Sequence, residues 1–395
     1  MRLIITFGLY LVFAPLFLSA QAQTAAMLTF SNPSGPYQVG LKVVEQYDFS
    51  RIFESTSTGA NDHAEQETSR PLQTLIWYPA VTSRSKPMTV ADYKNVLPTE
   101  TSFEKPTMSL KGNEWIAGFG SALNQPLRAV HDALPVAHRF PVIIYAPSFS
   151  SVSWENADLC EYLASFGYVV IATPAMGAST RAMTHDLSSI DAQARDISFL
   201  LGYARTLHDA DVSEVGVAAF SWGGISNLFA AARDSRIKAL ADLDGSMRYF
   251  PGLVKAGDVH PEMMTIPLLF FRRQTSLEDQ AAASDPPKTE GPNVLNAWTH
   301  GDLITVHMLG LVHPEFSSMA QRNEQFWKDD FARMQLDDYN REDGTIGYQW
   351  TATYTLNFFD AYLKQNAAAL DYLKKTSAQN GVPKHVLSVH FRPHS

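Results

Sequence analysis

Val215-Gly216-Val217-Ala218-Ala219-Phe220-Ser221-Trp222-Gly223-Gly224 is an apolar run that ends on a serine with small residues two positions before it and two after. A strand that turns sharply into a helix holds the side chain at the turn in a strained conformation. Bulky neighbours two positions away on either side would collide with the adjoining strand and helix, so small residues are required there. The stretch therefore predicts a nucleophile elbow that lifts the Ser221 hydroxyl clear of a sheet and aims the backbone N–H of Trp222 at developing negative charge. Ala219 stands where the first glycine of such elbows is usual, one methyl larger.

A serine hydroxyl is a poor nucleophile at neutral pH; it needs a base, and the base needs an acid that fixes its tautomer and stabilises its cation. The chain order expected for an elbow serine is Ser, then Asp, then His. Ala239-Leu240-Ala241-Asp242-Leu243-Asp244-Gly245 is an apolar strand ending in a carboxylate before glycine, which places Asp244 where a loop acid can face the elbow. Asp242 is the rival, deeper in the strand. The segment from Leu303 to Phe316 reads as a strand followed by a loop, and His313 falls in that loop. His307 sits inside the strand, where a core histidine is expected. His300 precedes the strand, and His185, His208 and His260 come earlier in the chain. His313 is therefore the candidate base. A second oxyanion donor is expected from Ala146-Pro147-Ser148-Phe149-Ser150-Ser151, with Phe149 N–H the candidate and Ser148 and Ser150 still open.

Working outward, the pattern predicts strands over 72–78, 142–145, 168–172, 239–243, 266–271 and 303–308 around the central strand 215–219. Helical spacing falls at 156–165, 191–207, 222–232 and 351–364, while 80–110 reads as loops with one short helix. Strands alternating with helices imply an α/β fold: a mostly parallel central sheet with helices on both faces. Three segments are expected: a removable leader over 1–22, an N-terminal extension with the first strands over 23–140, and a catalytic core over 141–395 forming one domain with the segment before it. The polar stretch Thr275 to Thr299 is expected to overhang the pocket.

The 395 residues are 45% hydrophobic and 18% charged, which excludes disorder and coiled coil. A formal charge of −9 repels phosphate backbones, so nucleic acid is not an expected partner. Arg2, the apolar stretch Leu3 to Ala20 and the small-x-small triplet Ala20-Gln21-Ala22 predict an export signal, hence a secreted or periplasmic protein with no membrane span after cleavage. Cys160 is the only cysteine, so no internal disulfide can form. HExxH and GxxxxGK[ST] are both absent, and no metal or cofactor is expected.

Gly35-Pro36-Tyr37-Gln38-Val39-Gly40, Leu75-Ile76-Trp77-Tyr78-Pro79, Leu163 to Val170, Phe220-Ser221-Trp222-Gly223-Gly224, Leu243-Asp244-Gly245 and Val312-His313-Pro314-Glu315-Phe316 together span most of the chain after the leader. With these motifs the sequence resembles the platelet-activating-factor acetylhydrolase and dienelactone-hydrolase-like branch of the α/β-hydrolases. The resemblance implies Ser221, Asp244 and His313 as a triad, Phe149 and Trp222 as oxyanion donors, and esters of short or oxidised acyl chains as substrates, small molecules or lipids. Members of that branch commonly carry His-Gly before the oxyanion residue; Pro147-Ser148 stands here. Two other functions fit the same fold: hydrolysis of peptide or amide bonds, and noncatalytic binding of a hydrophobic ligand.

Overall fold

The computed structural model describes residues 28, 30–54, 67–104, 106, 110–273, 293–329 and 339–395. The expected leader, 1–22, lies outside them.

Alternate residues along the apolar strands go to opposite sides, as the two-residue period of a strand requires. Ile143, Tyr145, Ala218, Phe220, Ala241 and Leu243 enter one core, while Val142, Ile144, Ala146, Val217, Ala219 and Leu240 enter another. Both faces of the sheet are thus buried, which is why these strands read as unbroken apolar runs.

The strands are β1 (Gln38–Glu54), β2 (Glu67–Ala80), β3 (Ala129–His131), β4 (Phe140–Ala146), β5 (Val169–Ala172), β6 (Ala210–Phe220), β7 (Ile237–Leu243), β8 (Leu268–Arg272), β9 (Leu303–Met308) and β10 (Leu387–Arg392). They form one sheet in the order β10-β9-β8-β7-β6-β4-β5-β2-β1-β3. Pairing is parallel from β5 through β4, β6, β7 and β8 to β9, and also between β1 and β3. It is antiparallel for β1 with β2, β2 with β5, and β9 with β10. Strands from before residue 141 therefore belong to the same sheet as those after it. The strand 303–308 is followed by a further one, β10, and β1 runs through a segment for which only a motif was read.

The first five helices are α1 (Val90–Lys94), α2 (Leu110–Ala117), α3 (Ala157–Ser165), α4 (Leu187–Ala204) and α5 (Gly223–Arg233). α3 and the long helix Arg341–Leu363 cover one face, through Leu159, Leu163, Phe358 and Phe359. α4 and α5 cover the other, through Ile197, Leu201, Ile225 and Phe229. No described helix is long and apolar enough to cross a membrane.

Within the first core, Glu161 of α3 is fully buried and accepts hydrogen bonds from the Tyr93 hydroxyl and the Arg128 backbone N–H, each at 2.5 Å. Burial, opposed by the Tyr93 hydrogen bond and aided by the Asp158 charge, pushes its carboxyl up to about 7. An acid raised in the folded state holds its proton more tightly there than in the unfolded chain, whose value is about 4.3. Native stability therefore declines as pH rises between the two values and is level above the higher one. Glu161→Gln should remove this decline: between about pH 5 and 8 its Tm should fall less than that of the wild type. Parallel pH dependence of the two proteins in scanning calorimetry would contradict it.

Candidate active site

β6 ends at Phe220 and α5 starts at Gly223, so the chain reverses direction over two residues. Ser221 sits in this turn with φ of +53°, a left-handed conformation that costs a residue with a Cβ about 1–3 kcal/mol. The turn is held against the end of β7: Ser221 N–H donates to the Leu243 carbonyl at 3.2 Å, and its own carbonyl accepts from Ser246 N–H at 2.7 Å. Gly223 is needed for close approach. A Cβ there would run into the Ala146 and Pro147 carbonyls, so its absence lets the loop after β4 lie on the first turn of α5. The Ala219 methyl is fully buried in the second core and is accommodated.

Asp244, the residue after β7, takes the same left-handed turn, with φ of +48°. His313 opens a short 3-10 turn, His313–Phe316, in the loop after β9. Three segments far apart in sequence thus meet, following β6, β7 and β9. Ser221 Oγ lies 2.8 Å from His313 Nε2, and His313 Nδ1 lies 2.5 Å from Asp244 Oδ2. A neutral ring protonated on Nδ1 donates to Asp244 and leaves Nε2 free to accept from Ser221.

Asp244 is fully buried, yet its charge is well supported. Its Oδ1 accepts from the Tyr249 hydroxyl at 2.5 Å and the Arg273 backbone N–H at 3.3 Å, and Arg273 Nε stands 3.5 Å from Oδ2. Burial raises the carboxyl, but the hydrogen bond and charge of His313, with Arg273 and Tyr249, outweigh it and hold the pKa below the usual aspartate value. Asp242 is also fully buried and, among the described residues, its side chain accepts from the Asn227 amide alone, at 2.7 Å; burial drives its pKa well up. It packs under Gly224 and Gly245. His307 is half-buried on β9, its Nδ1 3.0 Å from Arg272 Nη2, and His300 is exposed.

The loop after β4 separates the three oxyanion candidates. Ser148 N–H is taken by Glu155 at 2.8 Å and Ser150 N–H by the Met183 sulfur at 3.1 Å. Among the described residues no acceptor takes the N–H of Phe149 or of Trp222. The Phe149 ring stacks on His185 at 4.1 Å and meets Trp222 edge-on at 5.7 Å. His185, Tyr249, Arg273 and Glu155 all border this arrangement, and no motif pointed to them.

A cavity of about 510 Å³ opens over Ser221 and His313. Its wall is built by Trp115 of α2 and Gly118 just after it, Phe149 and Phe220 beside the elbow, and Met319 and Phe326 from the segment after His313. Of the stretch expected to overhang it, 275–292 lies outside the described residues, and none of 293–299 is in the wall. Among the described residues no cluster of three or more His, Cys, Asp or Glu side chains could hold a metal ion.

The fold is of the α/β-hydrolase type: a mostly parallel sheet, helices on both faces, and a serine raised at the strand-to-helix turn. A ferulic acid esterase from Streptomyces cinnamoneus shares it, with a TM-score of 0.64 at 19% sequence identity over 93% of this chain and 99% of that one. Neither a protein-family model nor a curated protein matches the sequence.

Proposed function

We propose that this protein is a serine-dependent carboxylic ester hydrolase that works through an acyl-enzyme. The observation that carries the proposal is the unbroken hydrogen-bonded chain from Ser221 through His313 to a buried, ionised Asp244, beside two backbone N–H groups that no described residue accepts. Ser221 Oγ attacks the ester carbonyl carbon while His313 Nε2 takes its proton, and Asp244 stabilises the imidazolium. Phe149 and Trp222 N–H receive the carbonyl oxygen as it becomes anionic. The C–O bond then breaks, and the alcohol leaves with the proton from His313. Water attacks the acyl-enzyme by the same steps in reverse, releasing the acid and restoring the Ser221 hydroxyl.

An ester substrate is supported by the structural neighbour, an esterase. The resemblance to the platelet-activating-factor acetylhydrolase and dienelactone-hydrolase-like branch supports a short acyl chain. Residues 1–22 support export to the periplasm or medium.

Matched p-nitrophenyl esters and p-nitroanilides test the bond type. The ester series should be turned over, fastest from acetate to butyrate, and the anilides far more slowly. Equal rates on the anilides would favour an amidase. No turnover of any ester from acetate to palmitate would favour a binding protein, and activity confined to long chains would contradict the acyl preference.

A further inference from the structure

Pro147-Ser148 stands directly before Phe149, and Glu155 is the residue that holds Ser148. Glu155 is 2% exposed, lines the cavity, and forms no ion pair among the described residues. Burial pushes its pKa up against the hydrogen bonds that lower it, so a carboxyl here without a cation is costly and fold stability alone gives no reason for it. Its hydrogen bonds do. Oε2 accepts Ser148 N–H at 2.8 Å and the Tyr145 hydroxyl at 3.1 Å, and Oε1 accepts the Ser148 hydroxyl. Ser148 is thereby gripped by backbone and side chain at once, immediately before the unclaimed N–H of Phe149. The Glu155 carbonyl accepts Ser317 Oγ at 3.0 Å and Met319 N–H at 3.1 Å, from the segment that follows His313. Asn156 extends the same link: its amide donates to the Phe316 carbonyl at 2.9 Å and its oxygen accepts Ser318 N–H at 2.8 Å.

The geometry points to Glu155 as a positioning residue for the oxyanion hole: through Ser148 it fixes the direction of the Phe149 N–H, and through its own backbone it registers that loop against the one carrying His313. This rests on the ester-hydrolase mechanism above. Two hydrogen bonds from one residue to one carboxyl fix its direction more closely than either alone, which suits a site where a small misplacement of a donor is costly.

The test compares Glu155→Leu, Glu155→Gln and Ser148→Ala with the wild type, using p-nitrophenyl butyrate and counting active sites by fluorophosphonate titration. Leu leaves Ser148 ungripped, and kcat per titrated site should fall about 10–100-fold, part of the loss expected for a missing oxyanion donor, with KM nearly unchanged. Gln can accept Ser148 N–H and Tyr145 O–H through its oxygen and donate to Ser148 Oγ, so it should stay within about fivefold of the wild type. Ser148→Ala removes one of the two grips and should lose about three- to tenfold in kcat. A merely structural role would lower the number of titratable sites and leave kcat per site untouched. The inference is overturned if Glu155→Leu keeps the wild-type kcat per site, or if Gln is as impaired as Leu. Should the Leu variant not fold, Ser148→Ala decides alone, and a wild-type rate there overturns it. A wild type without Ser221-dependent ester turnover would instead overturn the proposed function.

Discussion

Replacing Ser221 with Ala should lower kcat for esters by about a million-fold, leaving only the slow background supported by binding and oxyanion contacts. The size follows from the chemistry. Without Oγ there is no acyl-enzyme, and His313 can at most steer a water toward a carbonyl placed for a different nucleophile. The substitution should barely affect folding, because Ala and Ser pay the same steric cost at a φ of +53° and the backbone hydrogen bonds to Leu243 and Ser246 do not involve the side chain. An unchanged Tm, lost ester turnover and lost fluorophosphonate labelling are expected together. Turnover surviving within about tenfold of the wild type would assign the chemistry elsewhere.

Asp244→Asn should cost about ten-thousand-fold in kcat, and its surroundings explain why the effect is so large for one atom. Oδ1 faces two donors, the Tyr249 hydroxyl and the Arg273 N–H, so the oxygen of an Asn amide is drawn to that side. The NH₂ group then points at His313 Nδ1, 2.5 Å away in the wild type. Nδ1 must become an acceptor, Nε2 must carry the proton, and the ring can no longer accept a proton from Ser221. KM should change little. The same substitution has a signature in stability. The Asp244 carboxyl is held below its unfolded pKa, so its contribution is fully present above the ordinary aspartate range and is lost as pH falls through the lower folded value. Wild-type Tm should therefore drop more steeply than that of Asp244→Asn below about pH 4. Rates within about tenfold of the wild type for the Asn variant would remove Asp244 from the mechanism.

What could be foreseen from sequence tracks burial. β4, β6 and β7 are covered on both faces, so their apolar runs announce themselves, and the residues that end them, Ser221 and Asp244, stand out against that background. His313 was legible because a loop follows a similar run. β1 was not, since Lys42, Glu45 and Asp48 interrupt it and its antiparallel partner lies across an intervening segment. β10 is an edge strand with one buried residue in six, too polar to signal itself. The helix Arg341–Leu363 starts ten residues before 351, the expected start, at an Asn340–Asp343 capping box. Gly344 and Gly347 hid that beginning by weakening helical propensity. Gly347 is there for a tertiary reason: a Cβ would strike Leu311, so the glycine lets the helix pack under the His313 loop. Glu155, Tyr249 and Arg273 left no trace in any motif because each reaches the site through space, by hydrogen bonds that spacing alone does not encode.

The central claim, that Ser221 is the covalent nucleophile, is tested most directly by quenching the wild type in acid during steady-state turnover of p-nitrophenyl butyrate and mapping the adduct by peptide mass spectrometry. A butyryl group on the peptide containing Ser221, absent from Ser221→Ala, is the predicted result, with Asp244→Asn and the wild type differing in how fast it forms. Turnover without any adduct when acylation is the faster step, or an adduct on another side chain, would contradict the account.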